Sequence, residues 1–475
     1  MNFSALSIRH PVPAILLFAL LTLAGLLAFR SNAIQDLPDI ELPIVNVVAS
    51  LPGAAPAQLE TEVARKIEGS VASLQGIKNI YTKVLDGQVT VTVEFVLEKN
   101  LSDAVNDVRD AVARVRADLP ADMRDPSVTK VSTAGRPILT FSVTAVPNAS
   151  GNAPDLQELS WFIDNNVIKR LLAVKGVGAI KRIGGVSREV RIELDTARMN
   201  ALRVTAIDVS RRLRQVQQEA PGGRGDVSGA EQSVRTVATV KTADELALIE
   251  ISLDDGRRVR LDQIANVYDT VAEPRAIATQ DGKLVVGFEV SRTKGYGELM
   301  VAQGIREVVD KLRADNPNLR IAEVIDNAQP VEENYQGSMI LLYEGALLAV
   351  LVVLWFLRDW RATLVAASAL PLSVIPTFLA MSWFGYTINT VTLLSLALVV
   401  GVLVDDAIVE IENIARHLQM GKTPMQAALE AADEIGMAVI ATTFTLVAVF
   451  LPTAFMGGVP GLFFKQFGWT AAVAV

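Results

Sequence analysis

Asp405 and Asp406 are adjacent carboxylates that follow the apolar run Leu398-Val-Val-Gly-Val-Leu-Val404 and precede Ala407-Ile-Val409. An ionisable side chain in the hydrocarbon of a bilayer costs at least about 2.5 kcal/mol, so such residues are functional candidates by default. Neighbouring helix positions lie about 100° apart, which lets both acids face a bundle interior while Val and Leu meet lipid. Desolvation and like charge favour a protonated carboxyl, and a nearby cation favours the ionised form. A cation that approaches and withdraws would load and unload protons, so the pair reads as a proton relay. The competing reading puts both acids at the polar end of the helix, an end marked by Glu410, Glu412 and Arg416. Ala407-Ile408-Val409 and Ile411 carry the apolar face past the pair and favour the relay. Glu410 and Glu412 read as accessory carboxylates at the interface. Glu344, in another apolar run, either snorkels or lines a water path.

Composition narrows the remaining chemistry. The chain has 475 residues, 51% hydrophobic and 20% charged, with a formal net charge of -8. An apolar fraction this high excludes disorder. Acidic residues outnumber basic ones, 52 to 44, and no basic tract occurs, which argues against a nucleic-acid partner. With no cysteine, there are no disulfides, thiolate metal sites or cysteine nucleophiles. His10 and His417 are the only imidazoles, too few for a histidine metal centre or a Ser-His-Asp triad. No P-loop, G-x-S-x-G or H-E-x-x-H pattern appears, so nothing points to ATP use, a familiar hydrolase or a cofactor. The proton is the coupling ion that remains.

The elements that must hold the acids follow from hydropathy. Pro11–Phe29 is uncharged between Arg9 and Arg30, long enough to cross about 30 Å of hydrocarbon. A cleaved signal peptide is the alternative, with Ser31-Asn32-Ala33 as small residues near a cut. Gly337–Leu357 forms a second span. Residues 362–404 carry no charge and fit two crossings, with Trp383-Phe384-Gly385-Tyr386 as the turn. A fifth span and a Gly-Gly-Val-Pro-Gly loop occupy Ile435–Phe464, and another apolar run begins after Lys465. Arg9, Arg358, Arg361, Arg416 and Lys422 then share one side, the cytoplasmic one by the positive-inside rule. No Lys or Arg falls within these spans, so the cation that answers Asp405 and Asp406 is expected from beyond Val475. The apolar run that stops at Val475 likewise suggests the first half of a longer protein.

Between the first and second spans lies a polar segment with an internal repeat. Ile44–Leu51 reads as a strand, Ala57–Leu74 as a helix, Asn79–Leu85 as a strand, and Asp86-Gly87 as a hairpin turn. Val89–Val96 alternates as a half-buried strand, Leu101–Leu119 has helical spacing, and a strand near Val128 closes the unit. This is the βαββαβ order of the ferredoxin-like fold. Ile138–Val146, Leu156–Ala173 and Gly178–Ile183 begin a second copy, finished by Leu284–Val290, Leu299–Leu312 and Leu319–Ile325. Residues 186–271 interrupt it as an insertion, with Pro221–Gly229 as a flexible loop whose Arg224-Gly225-Asp226 is turn chemistry.

These residues resemble the resistance-nodulation-division (RND) transporters, in the hydrophobe/amphiphile efflux branch of Gram-negative bacteria. Gly401–Asn413 matches the family's fourth-helix signature, Phe356–Leu364 the link between helices two and three, and Phe455-Met-Gly-Gly with Phe464–Phe467 the link between five and six. Leu51-Pro52-Gly53-Ala54 resembles the start of the first porter subdomain. The resemblance implies a membrane α-helical bundle with an α+β periplasmic domain, in which ferredoxin-like βαββαβ porter subdomains carry an inserted docking subdomain. The boundaries would be 1–31 for the first span, 32–134 for the first porter subdomain, 135–185 with 272–330 for the second, 186–271 for docking, and 331–475 for the later helices. It implies a proton-driven exporter in the bacterial inner membrane, not an enzyme. The partners would be a homotrimer or mixed trimer, a periplasmic adaptor, an outer-membrane channel and the lipid bilayer. Asp405 and Asp406 match the relay aspartates. Positions that multidrug members fill with phenylalanine align with Pro137 and Ile183, beside Lys181 and Arg182, and the polar segment holds only nine aromatics. A narrower or more polar substrate is the expectation. Heavy-metal cation export is the alternative within transport, with Met123, Met199 and Met300 as its scattered soft donors. A non-transporting envelope scaffold and an intramembrane aspartic protease are the alternatives outside it.

Overall fold

The computed structural model describes residues 3–132, 135–146, 155–216, 220–227, 230–236, 240–253, 256–274 and 276–475. A short helix, α1 (Phe3–Arg9), precedes α2 (Pro11–Ser31), which starts on proline as a first turn permits. The chain then leaves the helical bundle and builds two αβ units.

In the first unit β1 (Glu41–Ser50) leads to α3 (Pro56–Leu59) and α4 (Arg65–Val71), joined without a break by a π-helical turn, Glu60–Ala64. β2 (Ile77–Leu85), β3 (Gln88–Phe95), α5 (Leu101–Val115) and β4 (Ser127–Ser132) follow. The strands lie in the order β2-β3-β1-β4, all antiparallel. Alternation decides the faces. Val45, Val47 and Ala49 of β1 and Val89, Val91 and Val93 of β3 point to the helices and are fully buried with Val63, Ile67 and Val108. Each such side chain contributes about 1.5–3 kcal/mol of burial. Asn100 starts α5 by accepting a hydrogen bond from the Ser102 N–H at 2.8 Å.

The second unit opens with β5 (Pro137–Ala145), α6 (Leu156–Phe162) and α7 (Ile168–Leu172), again joined by a π turn at Ile163–Val167, and β6 (Val177–Gly184). The insertion follows, comprising β7 (Arg188–Leu194), α8 (Thr196–Leu202), α9 (Ala206–Val216), β8 (Ala220–Val227), β9 (Ala230–Thr236), α10 (Ala243–Ala247), β10 (Glu250–Ser252), β11 (Arg258–Arg260) and β12 (Ala265–Val271). It has its own small core around Met199, Val209, Ile251, Leu261 and Ile264. β13 (Ala278–Gln280), β14 (Lys283–Arg292), α11 (Glu298–Asp315) and β15 (Leu319–Asp326) complete the unit. Its strand order, β6-β14-β5-β15, repeats that of the first unit, and β13 extends the β6 edge along β14. Phe141 and Phe288 stack at 5.1 Å in its core.

Five long helices return to apolar sequence or complete the bundle: α12 (Gln329–Leu357), α13 (Trp360–Trp383), α14 (Thr390–Gln419), α15 (Pro424–Ala454) and α16 (Gly458–Ala474). Among the described residues, α2 and α12 to α15 are long and apolar enough to cross a membrane, with mean hydropathies from 1.9 to 2.5. The α12–α13 corner is sharp because Arg358 takes a left-handed conformation (φ 51°) and Asp359 caps α13 through the Arg361 N–H at 2.8 Å. Arg361 also lies over the Trp360 ring at 5.7 Å. Trp383, Phe384, Tyr386 and Trp469 gather where α13 turns into α14.

Two sequence expectations need correction. Val459-Pro460-Gly461, read as loop, is the first turn of α16, so Lys465 is the eighth residue of that helix and does not bound it. Proline fits a first helical turn, and Gly461 admits the Met456 carbonyl, which would lie 1.7 Å from a Cβ. Lys465, which is exposed, thus lies within a helix and not between two apolar runs. The glycine-rich stretch from Pro221 is also not simply a loop. Arg224–Val227 pairs antiparallel with Ala230–Ser233, and a register shift between Pro221 and Arg224 absorbs the two glycines. Ser228 and Gly229 lie outside the described residues.

Close packing of α2 on α13 rests on Gly25, where a Cβ would stand 2.2 Å from the Ile375 carbonyl oxygen. Gly25→Ala should lower thermal stability in detergent, with a cost of about 1–3 kcal/mol from overpacking. Gly69→Ala in α4, where nothing lies within 4 Å of the added methyl, should leave the melting temperature unchanged or raise it.

Candidate functional site

The acidic pair lies on α14, so the site begins with how that helix is held. Asn389 caps it, accepting from the Val391 and Thr392 N–H groups at 3.0 and 3.1 Å, while Thr392 Oγ1 accepts from the Asn389 N–H at 2.9 Å. The Asn389 amide also donates to Gln466 Oε1 at 2.8 Å, and Ser395 donates to the Phe467 carbonyl at 2.9 Å, fixing α14 to α16. Leu396, Val399, Val400 and Val404 pack inward. Leu394, Leu398, Gly401, Asp405, Val409 and Glu412, spaced three or four apart, form one uncovered stripe along the helix.

Asp405 is the polar centre of that stripe and is exposed. Asp406 is half-buried against α15, where the Thr442 hydroxyl lies 3.3 Å from its Oδ1. That hydroxyl sits closer to the Val439 carbonyl, at 2.8 Å, and so gives its proton mainly there. Among the described residues neither carboxylate has an ion-pair partner. Arg416, three turns on and about 16 Å away along the axis, is occupied. It donates to Asn413 Oδ1 at 2.6 Å and pairs with Glu434 at 2.5 Å. His417 is buried beside it, 2.9 Å from Glu434 and 2.8 Å from Lys422, which pairs with Glu430.

The other expected carboxylates are dispersed. Glu410 is half-buried, whereas Glu412 and Glu344 are exposed, the latter midway along α12. The four pocket candidates do not form one lining. Arg182 faces the helices of the second unit and is held by Asp164 at 3.0 Å, the Gly184 carbonyl at 2.8 Å and Ser187 at 2.9 Å. Lys181 and Ile183 lie on the opposite face of β6, Lys181 near Glu289 at 3.5 Å. Pro137 lines a separate cavity of about 390 Å³ at the base of the unit, with Asp36, Arg292 and Glu298.

That base holds a polar cluster with no local sequence signal. Arg292 Nη2 lies 2.7 Å from Asp39 and its Nε 3.2 Å from Glu298. Gln35 donates to Asp39 and to the Tyr296 carbonyl, both at 3.1 Å, and accepts from Thr387 at 3.1 Å. Burial alone would push the Asp39 carboxyl up. Hydrogen bonds from Arg292 and the Gly295 N–H, the Arg292 charge and the Gln35 amide outweigh it and hold Asp39 below its ordinary 3.8. The Asn389–Thr392 cap was open to discovery, since Asn with a hydroxyl three residues later before an apolar run is a helix-start pattern.

A chain with five membrane-length helices and two like-ordered αβ units among the described residues, and an acidic pair midway along one of those helices, is a multi-span membrane protein with a large extramembrane region. It belongs to the AcrB/AcrD/AcrF family, whose pattern it matches over residues 3–475. "Multidrug resistance protein MdtC" of Salmonella newport (strain SL254) is 32% identical over 479 residues, covering 100% of this chain and 46% of that protein. The protein of the same name from Salmonella gallinarum (strain 287/91 / NCTC 13346) is 33% identical with the same coverage. The chain thus spans about half the length of the curated relatives it matches.

The Asp39 geometry sets a pH window. A carboxyl held low in the folded state stabilises above its unfolded value, and the contribution is lost as pH falls through the folded one. Protection of the Gly295 amide, which donates to Asp39 Oδ2 at 2.9 Å, should persist from pH 7 to about the unfolded value of 3.8 and disappear only below it. Hydrogen exchange corrected for intrinsic rates measures this. Loss near pH 6 would contradict it.

Proposed function

We propose that this chain is the first half of a proton-driven exporter of amphiphilic small molecules in the bacterial inner membrane. The observation that carries the reading is the Asp405–Asp406 pair, held mid-helix on α14 with no ion-pair partner among the described residues. The uncovered stripe through Gly401 and Asp405 is where a basic side chain from a further helix would approach. Its approach favours two ionised carboxylates and its withdrawal favours proton uptake. MdtC relatives carry a multidrug-resistance name, and that name supports amphiphilic drugs as cargo.

The two αβ units are read as ferredoxin-like porter subdomains and residues 186–271 as the docking subdomain, supported by the repeated antiparallel strand order. The assembly is read as a homotrimer or mixed trimer with a periplasmic adaptor and an outer-membrane channel. Few aromatics are available for a drug pocket, since Phe95, Phe141 and Phe288 fill the cores of the units. This favours a narrower cargo range than an aromatic trap would admit. Metal export gains no support from Met123 and Met199, whose side chains are buried in hydrophobic clusters.

One proton crossing 100 mV releases about 2.3 kcal/mol, and a pH unit adds about 1.4 kcal/mol. Together they sustain roughly a 500-fold gradient per proton at about 1.4 kcal/mol per decade. In cells with the full-length protein, Asp405→Asn and Asp406→Asn should each abolish energised efflux of ethidium, novobiocin and deoxycholate without reducing the amount of protein in the membrane. Undiminished efflux in both variants would overturn the proton-driven reading.

A further inference from the structure

The segment between α2 and β1 touches both the relay helix and the second αβ unit through backbone and buried polar groups. On the bundle side, the Gln35 N–H donates to the Ile388 carbonyl at 3.0 Å and the Ile388 N–H to the Ala33 carbonyl at 2.9 Å. The Thr390 N–H, in the first turn of α14, donates to the Asp36 carbonyl at 3.2 Å. Toward the αβ unit, the Glu298 N–H, opening α11, donates to the Ile34 carbonyl at 3.0 Å, and the Asp36 N–H to Glu298 Oε2 at 3.2 Å. Gly297 meets Ile34 so closely that a Cβ there would stand 2.9 Å from the Ile34 nitrogen. The side chains complete the tie: Arg292, Asp39 and Glu298 are 4%, 10% and 17% exposed, and Gln35 bridges Asp39, Tyr296 and Thr387.

We propose that residues 33–39 are a coupling strap that makes the first turn of α14 and the base of the second αβ unit one mechanical body, with Gln35 and Arg292 as its positioning residues. The proposal rests on the reading of Asp405 and Asp406 as a proton relay, because α14 carries both. A buried, mutually bonded ion cluster resists shear, since sliding it would strand charges in a low dielectric. Backbone bonds to both sides within the four residues Ala33–Asp36 leave little slack. On the α12 side lies the 390 Å³ cavity, bounded by Asp36 and Pro38 of the strap and by Pro330 and Val331 of α12. The strap also meets α12 directly, where the Asn334 amide donates to Asp36 Oδ1 at 3.4 Å. When α14 responds to protonation, the strap carries that displacement to β14 and α11.

The test uses the full-length protein in proteoliposomes, with whichever of ethidium, novobiocin and deoxycholate the parent exports fastest, and a thiol placed at Val409 to report on α14. Gln35→Ala, which removes the side-chain bridge to Asp39, Tyr296 and Thr387 and keeps the backbone bonds of residues 33–36, should cut export at least tenfold. Proton flux should no longer follow added compound, and the compound should no longer change labelling at position 409. Asp36→Cys with Thr390→Cys, an exposed α14 position whose N–H bonds the Asp36 carbonyl, joined by a short bifunctional thiol reagent, should retain export within about twofold, because these residues move together. Loss of export on cross-linking, or parental export and labelling in Gln35→Ala, would overturn the strap. The outcomes separate from those of the relay: if Asp405→Asn and Asp406→Asn export normally while Gln35→Ala still severs the labelling response, coupling stands and the proton reading falls.

Discussion

A carboxylate in hydrocarbon must find a partner or take up a proton, and α14 is built around that constraint. Its buried face is aliphatic and immobilised against α16 through Ser395 and Asn389, so the helix has a defined rotation. That rotation leaves Asp405 on the uncovered stripe and turns Asp406 to Thr442. The cations nearest along the chain are committed elsewhere: Arg416 to Glu434 and Asn413, Lys422 to Glu430 and His417. The polar network at the Arg416 end stabilises the α14–α15 turn, and at about 16 Å along the axis it is too distant to answer Asp405.

The extramembrane units follow a different economy. Strand alternation gives each unit a dry core of Val, Ile and Phe on one sheet face, which leaves the other face for polar residues. Both units place a π turn within their first helix, Glu60–Ala64 and Ile163–Val167. In the second, Asp164 of that turn holds Arg182 at the point where the chain departs for the insertion. Arg182 is therefore a structural tie at the mouth of the insertion, while Lys181 and Ile183, one residue away on either side, face outward. Strand parity decides which of three successive residues faces the helices and which face outward.

Much of this was legible because it is periodic. Alternation at Val89–Val96 and helical spacing at Leu101–Leu119 mark β3 and α5 to within a few residues, and the uncharged stretch 362–404 divides at Trp383–Tyr386 where α13 and α14 meet. Composition misled where glycine and proline do regular work. Val459-Pro460-Gly461 opens a helix, and the glycines after Pro221 sit within a paired strand whose register shift accommodates them. The acidic pair was visible since its chemistry is local. Gln35, Asp39, Arg292 and Glu298 were invisible for the opposite reason: the residues come together across more than 250 positions of sequence, and each alone looks like ordinary surface polarity.

That long-range cluster sits just past the end of α2 and against the start of α14, at the ends of two membrane-length helices, and the location matters physically. Deeper in the bundle, three charged groups would cost too much to bury. Farther out, water would screen them and the pairs would be worth little. At the boundary, Arg292 is dry enough for its bonds to Asp39 and Glu298 to be stiff, and near enough to solvent for the cluster to assemble. The chain's route imposes the same location, because α2 must hand over to β1 there and the α13–α14 loop must turn back. Two topological necessities meet there, and the backbone of residues 33–36 with the Gln35 side chain joins them. A mechanical link needs few residues when the chain already brings its two ends within one hydrogen bond of each other.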